Sequence, residues 1–351
     1  GTFVTAKDNG AFSFISLTDT QSYTDGDAQV SANTLQKALA TVPDAAFVIH
    51  GGYVVDDGSN EGMWKSLLNF SAAGLTSTTI APAAGNHEAT GNAFVNHFNL
   101  ELNGPTAGGT YYSFDYSNAH FVTLNTNEDA VQNLSQTQLD WLKADVTKAR
   151  ENGADWVILN LHKGPYTTAN HLDDQDIKAM RKVLVPLIDE LDIDLVLQGH
   201  DHILARTKVL SYDQNGTECA SPVETTKITE MKGGKRIEYA LSPEGTIYFL
   251  PNTAGVKHYD QEQNPSGVDM DEYLELFDRS EQGIKNNSSE KNAQYFAGVT
   301  IDGGQLEAMV YQIKDQSVPY SWEGFGIDKE IKPMIEQIEA LPDKDALVLS
   351  D

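Results

Sequence analysis

Side chains able to bind metal ions follow four apolar runs of the sequence, each at the point where the run ends. Asp19 and Gln21 close "FISLTDTQ", and His162 closes "WVILNLH". The other members of the set follow "TIAPAAG" and "LVLQG"; they are Asn86, His87, Glu88, His200, Asp201 and His202. Carboxylate, amide and imidazole donors together suit Zn, Mn or Fe better than Ca. The pattern indicates a transition-metal site, although a single Asp at a strand end is usually a turn residue.

One further stretch, His50–Gly58 with the sequence "HGGYVVDDG", ends an apolar run in the same way. A strand end of this kind often carries a metal-binding carboxylate. Here the residue after the glycine pair is Tyr53, and the acidic residues Asp56 and Asp57 come three and four positions later. The sequence therefore predicts a metal site whose second loop departs from the expected chemistry.

Strand and helix patterns alternate around these residues. Residues 11–19, 45–52 and 77–88 read as strands that run into loops, and residues 30–42 and 61–75 show the apolar spacing of helices. Such alternation is typical of a sheet covered by helices. Because ligands of an α/β sheet lie at the carboxyl ends of its strands, we expect these loops to meet in one crevice.

The later part of the chain changes in character. Residues 110–126 read as two strands around "DYSNAH", and Ser135 is placed as the N-cap of a helix. Residues 203–313 are hairpin-like, and "DGG" within them is a favourable hairpin turn. We expect one domain over residues 1–315. Residues 316–351 are expected to form a helical linker and tail toward a region further along the natural chain.

Composition limits the classes of partner. The 351 residues carry a net charge of −27, which argues against nucleic acid or an anionic membrane surface as partner. The single cysteine, Cys219, excludes an internal disulfide or a CxxC zinc site. No apolar run approaches the ~18 residues of a membrane span. Such usage suits an extracellular or cell-surface protein of Gram-positive type, and it is equally compatible with the cytoplasm.

The motifs "DTQ", "GNHE", a lone His after a strand and "GHDH" occur in this order over residues 10–313. In this combination the sequence resembles the calcineurin-like metallophosphoesterase superfamily, and most closely its purple-acid-phosphatase-like bacterial branch. The resemblance implies an α/β fold, a four-layer α/β/β/α sandwich of two mixed sheets. It also implies two adjacent divalent or trivalent transition-metal ions, Zn, Mn or Fe.

Carried over residue by residue, the resemblance implies a role for each side chain. One ion would be held by Asp19, Gln21 and His202, and the other would be held by Asn86, His162 and His200. His87 would approach the leaving-group oxygen as general acid or charge stabiliser. Glu88 and Asp201 would orient the histidines, and Asp56 would lie beside the ligands.

The family's second motif is Gly-Asp, and its aspartate bridges both ions. Tyr53 stands at that position, as though it had exchanged places with Asp56. Three interpretations follow. Tyr53 binds metal through its phenolate, or Asp56 or Asp57 replaces the bridge, or the bridge is lost and one ion is weakly bound or absent.

Two functions from different classes follow from these motifs. The leading hypothesis is a metal-dependent phosphoesterase that hydrolyses phosphomonoesters or phosphodiesters of small molecules. The alternative is a degenerate phosphoesterase fold that acts as a cell-surface binding module, with cell-wall association through the region beyond residue 351. The loop after His162 carries His171, Asp173 and Asp174, which we expect to be solvated loop residues.

Overall fold

Two large β-sheets lie face to face, and their outer faces carry helices. The computed structural model describes residues 10–100, 103–104, 109–280, 293–315 and 317–330. Elements are numbered in chain order. The first sheet has eight strands, in the spatial order β11 (Lys227–Lys232), β12 (Lys235–Leu241), β17 (Tyr320–Asp328), β16 (Gln305–Ile313), β15 (Gln294–Asp302), β1 (Phe12–Leu17), β2 (Ala45–His50) and β3 (Thr79–Pro82).

The second sheet has seven strands, in the order β14 (Phe277–Ser280), β8 (Leu204–Thr207), β13 (Ile247–Pro251), β7 (Leu195–Gly199), β6 (Trp156–Lys163), β5 (Ala119–Thr123) and β4 (Tyr112–Tyr116). A separate hairpin pairs β9 (Leu210–Thr217) with β10 (Ala220–Pro222). The helices are α1 (Asp25–Thr41), α2 (Glu61–Leu75), α3 (Ala93–Phe98), α4 (Gln136–Glu151), α5 (Gln175–Glu190) and α6 (Met270–Leu274).

Alternating side chains of the strands build the layers. Phe12 and Phe14 of β1 point between the sheets, where Phe14 stacks on Phe47 at a ring distance of 5.5 Å and meets Phe121 edge-on at 5.3 Å. Ile15 lies on the opposite face of β1, in an apolar cluster that includes buried residues of α1. On the far side, α4 and α5 pack against the second sheet. The predicted α/β/β/α sandwich of two mixed sheets is confirmed.

Capping residues begin two of the helices, and a predicted turn joins two of the strands. Ser135 caps α4 by accepting a hydrogen bond from the Gln138 N–H at 3.2 Å. Thr24 caps α1 in a reciprocal arrangement with Asp27. The predicted hairpin turn also forms, since Asp302 pairs with Gln305 across two glycines. No helix within the described residues is long and apolar enough to cross a membrane.

The sheet continues past the expected domain end at residue 315. Strand β17 pairs antiparallel with β16 and parallel with β12, so residues 320–328 lie inside the first sheet. Placing these residues in a helical linker was therefore wrong. The rest of the expected helix and tail, residues 331–351, lies outside the described residues.

Candidate metal centre

The predicted loops meet where strands of the two sheets end. Asp19 and Gln21 follow β1, Tyr53 follows β2, and His200 follows β7. All four have a positive φ, between 37° and 76°, a region that non-glycine residues rarely adopt. Such conformations cost about 1–3 kcal/mol each and cluster at functional sites. The backbone is held in a costly arrangement at each of these strand ends.

The glycines of the second loop are required by close contacts. Gly52 has φ +97°, and a Cβ atom there would overlap the imidazole of His162. At Gly85, before the "NHE" turn, a Cβ would lie 2.6 Å from the backbone nitrogen of Tyr53. These positions admit only glycine because three loops pass within contact distance of each other.

Asp19 lies at the bottom of this crevice and is fully buried. Its Oδ1 accepts a hydrogen bond from the His200 N–H at 3.0 Å. The same oxygen lies 3.9 Å from Nε2 of His202 and 4.0 Å from Nδ1 of His162. Burial raises the pKa of Asp19 well above its ordinary value, because the charged form is removed from water.

The two histidines have their tautomers set by backbone carbonyls. Nδ1 of His162 bonds the Gly51 carbonyl at 2.8 Å, and Nδ1 of His202 bonds the Lys257 carbonyl at 2.8 Å. A carbonyl only accepts, so each Nδ1 carries the proton and each Nε2 presents a lone pair. Burial lowers the pKa of both rings, that of His202 to about 3, which keeps them in the neutral form that binds metals.

Four buried atoms of the crevice have no hydrogen-bond partner among the described residues: Asp19 Oδ2, Gln21 Oε1, His162 Nε2 and His202 Nε2. A buried polar atom without a partner costs about 1–3 kcal/mol. All four are lone-pair donors, and their mixture of oxygen and nitrogen suits a transition-metal ion. The residues present therefore fit a metal.

Tyr53 lies among the histidines and is 3% exposed. Its hydroxyl bonds Nδ1 of His200 at 2.8 Å, and its ring centroid lies 4.1 Å from that of His162 and 4.5 Å from that of His87. Burial strongly raises the pKa of Tyr53, and a contact with the side chain of Asn86 opposes this in part. The phenol thus touches the three residues expected to hold the second ion.

The acidic residues after Tyr53 do not take its place. Asp56 accepts a hydrogen bond from Gln21 Nε2 at 2.9 Å and lies 3.6 Å from His87 Nδ1. Asp57 is turned to its own loop, where it accepts from the Ser59 N–H and hydroxyl. Among the described residues, neither carboxylate contacts the buried histidines.

Two residues expected to orient the histidines act elsewhere. Both carboxylate oxygens of Glu88 accept backbone hydrogen bonds, from Val55 N–H at 3.0 Å and Gly85 N–H at 2.8 Å. Glu88 therefore fixes the backbone around Tyr53 rather than an imidazole. Asp201 accepts from the Thr167 hydroxyl at 2.7 Å, and the ring nearest to it is that of His171, at 3.8 Å.

His87 lies at the rim of the centre, with a side chain 30% exposed. Its Nδ1 donates to the backbone carbonyl of Asp56, and its Nε2 lies 3.3 Å from Gln21 Nε2. Nε2 is thus the atom of this ring that can exchange a proton with a bound molecule.

Sequence reasoning underestimated three residues. His171 stacks on His200 at a ring distance of 3.9 Å, and its Nδ1 bonds Asp174 at 2.7 Å. Tyr259 lies 4.7 Å from the ring of His202 and donates its backbone N–H to that residue's carbonyl. His171 and Asp174 carried a weak signal, an acidic and histidine-containing loop after a predicted ligand. Tyr259 carried none.

Comparison with known proteins agrees with this geometry. The sequence model of the calcineurin-like phosphoesterases matches residues 12–204, more than half of the chain. The chain belongs to the calcineurin-like phosphoesterase family.

Individual relatives place it near the purple acid phosphatases. The chain is 32% identical over 132 residues to purple acid phosphatase 22 of Arabidopsis thaliana. This matched segment covers 38% of this chain and 29% of the relative. It is 29% identical over 193 residues to an uncharacterized protein of Mycobacterium tuberculosis, covering 50% of this chain and 35% of the relative. The chain thus spans about a third of the length of these relatives.

A solved structure shares the fold. Purple acid phosphatase PPD1 from yellow lupin seeds superposes with a TM-score of 0.68 at 16% identity, covering 95% of this chain and 56% of the lupin chain. At this identity the likeness shows the fold alone. It supports the two-sheet architecture and leaves the chemistry to the residues of this chain.

Proposed function

We propose that this chain is a metal-dependent phosphoester hydrolase. The observation that carries the proposal is the group of four buried, unpartnered lone-pair atoms on Asp19, Gln21, His162 and His202. Membership of the calcineurin-like phosphoesterase family supports the same conclusion. Zn, Mn and Fe are the metals that suit this donor set.

The chemistry divides between the metal and the chain. A bound metal ion supplies positive charge to the phosphoryl oxygens, which otherwise repel an anionic nucleophile. Asp19, Gln21 and His202 would hold it. His87, in its doubly protonated form, would give a proton to the leaving-group oxygen through Nε2 while its Nδ1 stays bonded to the Asp56 carbonyl. A proton donor in this position typically contributes a factor of about 10²–10⁴ in rate.

The test combines metal content with turnover. Protein purified without chelators is analysed by elemental mass spectrometry, and hydrolysis of p-nitrophenyl phosphate and bis(p-nitrophenyl) phosphate is measured with Mn, Zn or Fe. We expect bound metal and metal-dependent turnover. His202→Gln should lose both, whereas His120→Gln, in a ring bonded to Asp115 and Asp145 outside the centre, should keep both.

One observation favours a second function, a binding module without catalysis. Tyr53 fills the centre of the histidine group, where the family carries a carboxylate. A folded protein that binds no metal, and hydrolyses neither substrate with any of the three metals, would favour the binding module over the hydrolase.

A further inference from the structure

We infer that the Tyr53 side chain takes the place of a second metal ion, so that the centre holds one ion and selects singly charged phosphodiesters over doubly charged phosphomonoesters. The inference rests on the proposed hydrolase function. It concerns the number of ions in the centre and the charge of the substrate, which the proposed function leaves open.

The first argument concerns which of the expected ligand atoms have no hydrogen-bond partner among the described residues. The side chains expected to hold one ion, Asp19, Gln21 and His202, each present a buried atom without a partner. The side chains expected to hold the other ion differ. His200 Nδ1 is bonded to the Tyr53 hydroxyl at 2.8 Å, and the Asn86 side chain contacts the same hydroxyl.

His162 also presents a bare atom. Its Nε2 is bare, and its Nδ1 lies 4.0 Å from the Asp19 carboxylate. The Tyr53 ring lies 4.1 Å from the His162 ring and 5.5 Å from the His200 ring, and these two imidazoles lie 5.1 Å from each other. Asp19, Gln21 and His202 thus offer three free donors to one ion, whereas the phenol bonds His200 and lies against His162, two of the side chains expected to hold the other ion.

Tyr53 is fixed in this position rather than free to turn away. Glu88 joins the backbone after Tyr53, at Val55, to the backbone of its own loop, at Gly85. The Tyr53 carbonyl accepts from the Gln21 N–H at 2.6 Å. The backbone has φ +52° and the side chain is 3% exposed, so the ring is enclosed by its neighbours.

The charge of the centre then decides the substrate. One divalent ion with the Asp19 carboxylate leaves one net positive charge, and the neutral donors Gln21 and His202 add none. A phosphodiester carries one negative charge near neutral pH, whereas a monoester carries close to two. The rim adds the carboxylates of Asp56 and Asp174, which repel a second negative charge at short range.

The experiment compares wild type, Tyr53→Asp and Tyr53→Phe, with Tyr112→Phe as a control. Tyr112 is another buried tyrosine, whose hydroxyl donates to the Pro82 carbonyl away from the centre. Metal equivalents per chain are measured by elemental mass spectrometry. The ratio of kcat/KM for bis(p-nitrophenyl) phosphate to that for p-nitrophenyl phosphate is measured with the same metal.

We expect one metal equivalent in wild type, Tyr53→Phe and the control, and two in Tyr53→Asp. The diester-to-monoester ratio should be about tenfold or more in wild type and should fall several-fold in Tyr53→Asp. Tyr53→Phe keeps the ring in place, so the metal count remains informative if Tyr53→Asp does not fold.

Three results overturn the inference: two equivalents in wild type, one equivalent in a folded Tyr53→Asp, or a wild type with one equivalent that prefers the monoester. Absence of metal and of turnover in every folded variant is a different result. It would remove the hydrolase proposal itself, and the inference with it.

Discussion

Replacing Asp19 with asparagine should stabilise the metal-free protein and abolish its stabilisation by metal. Asp19 is fully buried, and its Oδ2 has no partner among the described residues. An amide keeps the acceptor for the His200 N–H and removes the buried charge. Its NH₂ group is a donor in a crevice where His162 and His202 present bare Nε2 acceptors. Asparagine also tolerates the φ of +57° at this position.

The expected size follows from these contacts. One new hydrogen bond and the loss of an unpaired buried charge should raise the free energy of unfolding by about 1–3 kcal/mol. With an unfolding entropy of about 2.1 cal/mol/K per residue, the 351-residue chain has roughly 0.7 kcal/mol/K in total. The melting temperature of metal-free Asp19→Asn should therefore lie about 1–4 °C above that of metal-free wild type.

Metal should reverse the order of the melting temperatures of wild type and Asp19→Asn. At a metal concentration of 100 Kd, wild type gains about 2.7 kcal/mol, which corresponds to a rise of about 4 °C in melting temperature. Asp19→Asn loses a charged ligand, so its melting temperature should shift by less than about 1 °C. The two melting temperatures converge or cross when metal replaces chelator.

The assay is differential scanning calorimetry of both proteins, with chelator and with Mn or Zn. Asp194→Asn is the matched control, because Asp194 is also buried but pairs with Arg150 at 3.2 Å and with Lys329 at 2.5 Å. It should lose stability and keep the full response to metal. If metal-free Asp19→Asn is less stable than wild type and still responds to metal, the account of the unpartnered carboxylate is wrong.

Three further predictions concern other residues. His87→Gln should lower kcat about 10²–10⁴-fold with metal content unchanged. His97→Gln changes another half-buried ring, outside the centre, and should leave kcat and metal content as they are. Equal losses of kcat in the two variants would refute the role of His87. Ser135→Ala should lower the free energy of unfolding by about 1 kcal/mol in denaturant titrations without affecting metal content, and a loss of metal would contradict a purely capping role. Burial disfavours the charged form of His120, but two carboxylates bonded to its ring outweigh this and raise its pKa. The stabilisation of the folded protein by protonated His120 is full below pH 6.5 and is lost as the pH rises through the raised pKa. His120→Gln should therefore destabilise the protein more at pH 5.5 than at pH 9. An equal effect at both pH values would refute this.

Much of the fold was predictable because the sheets have two-sided burial patterns. The run "FSFISL" of β1 places aromatic rings on one face and Ile15 and Leu17 on the other, so its period was readable. Strand β17 was missed for a physical reason. Its Gly324 and Gly326 weaken a strand pattern, yet a Cβ at Gly326 would overlap the ring of Tyr239, which packs there.

The centre was only partly predictable, because sequence identifies donors but not the atoms that satisfy them. The donor residue types and their positions at strand ends were readable from local patterns. The bonds that fix them come from distant backbone atoms, such as the Lys257 carbonyl on His202 Nδ1. The role of Glu88 also depends on the Val55 N–H of another loop, to which the sequence gives no guide.

The strain of the centre bears on whether it still binds metal. Asp19, Gln21, Tyr53 and His200 hold costly backbone conformations. The crevice also buries four lone-pair atoms without partners. Both features lower the stability of the metal-free protein, and bound metal would give bare atoms of the crevice a partner. A fold kept only as a binding surface would gain stability from almost any substitution that relieved either feature. Their joint presence argues that the crevice is maintained for metal.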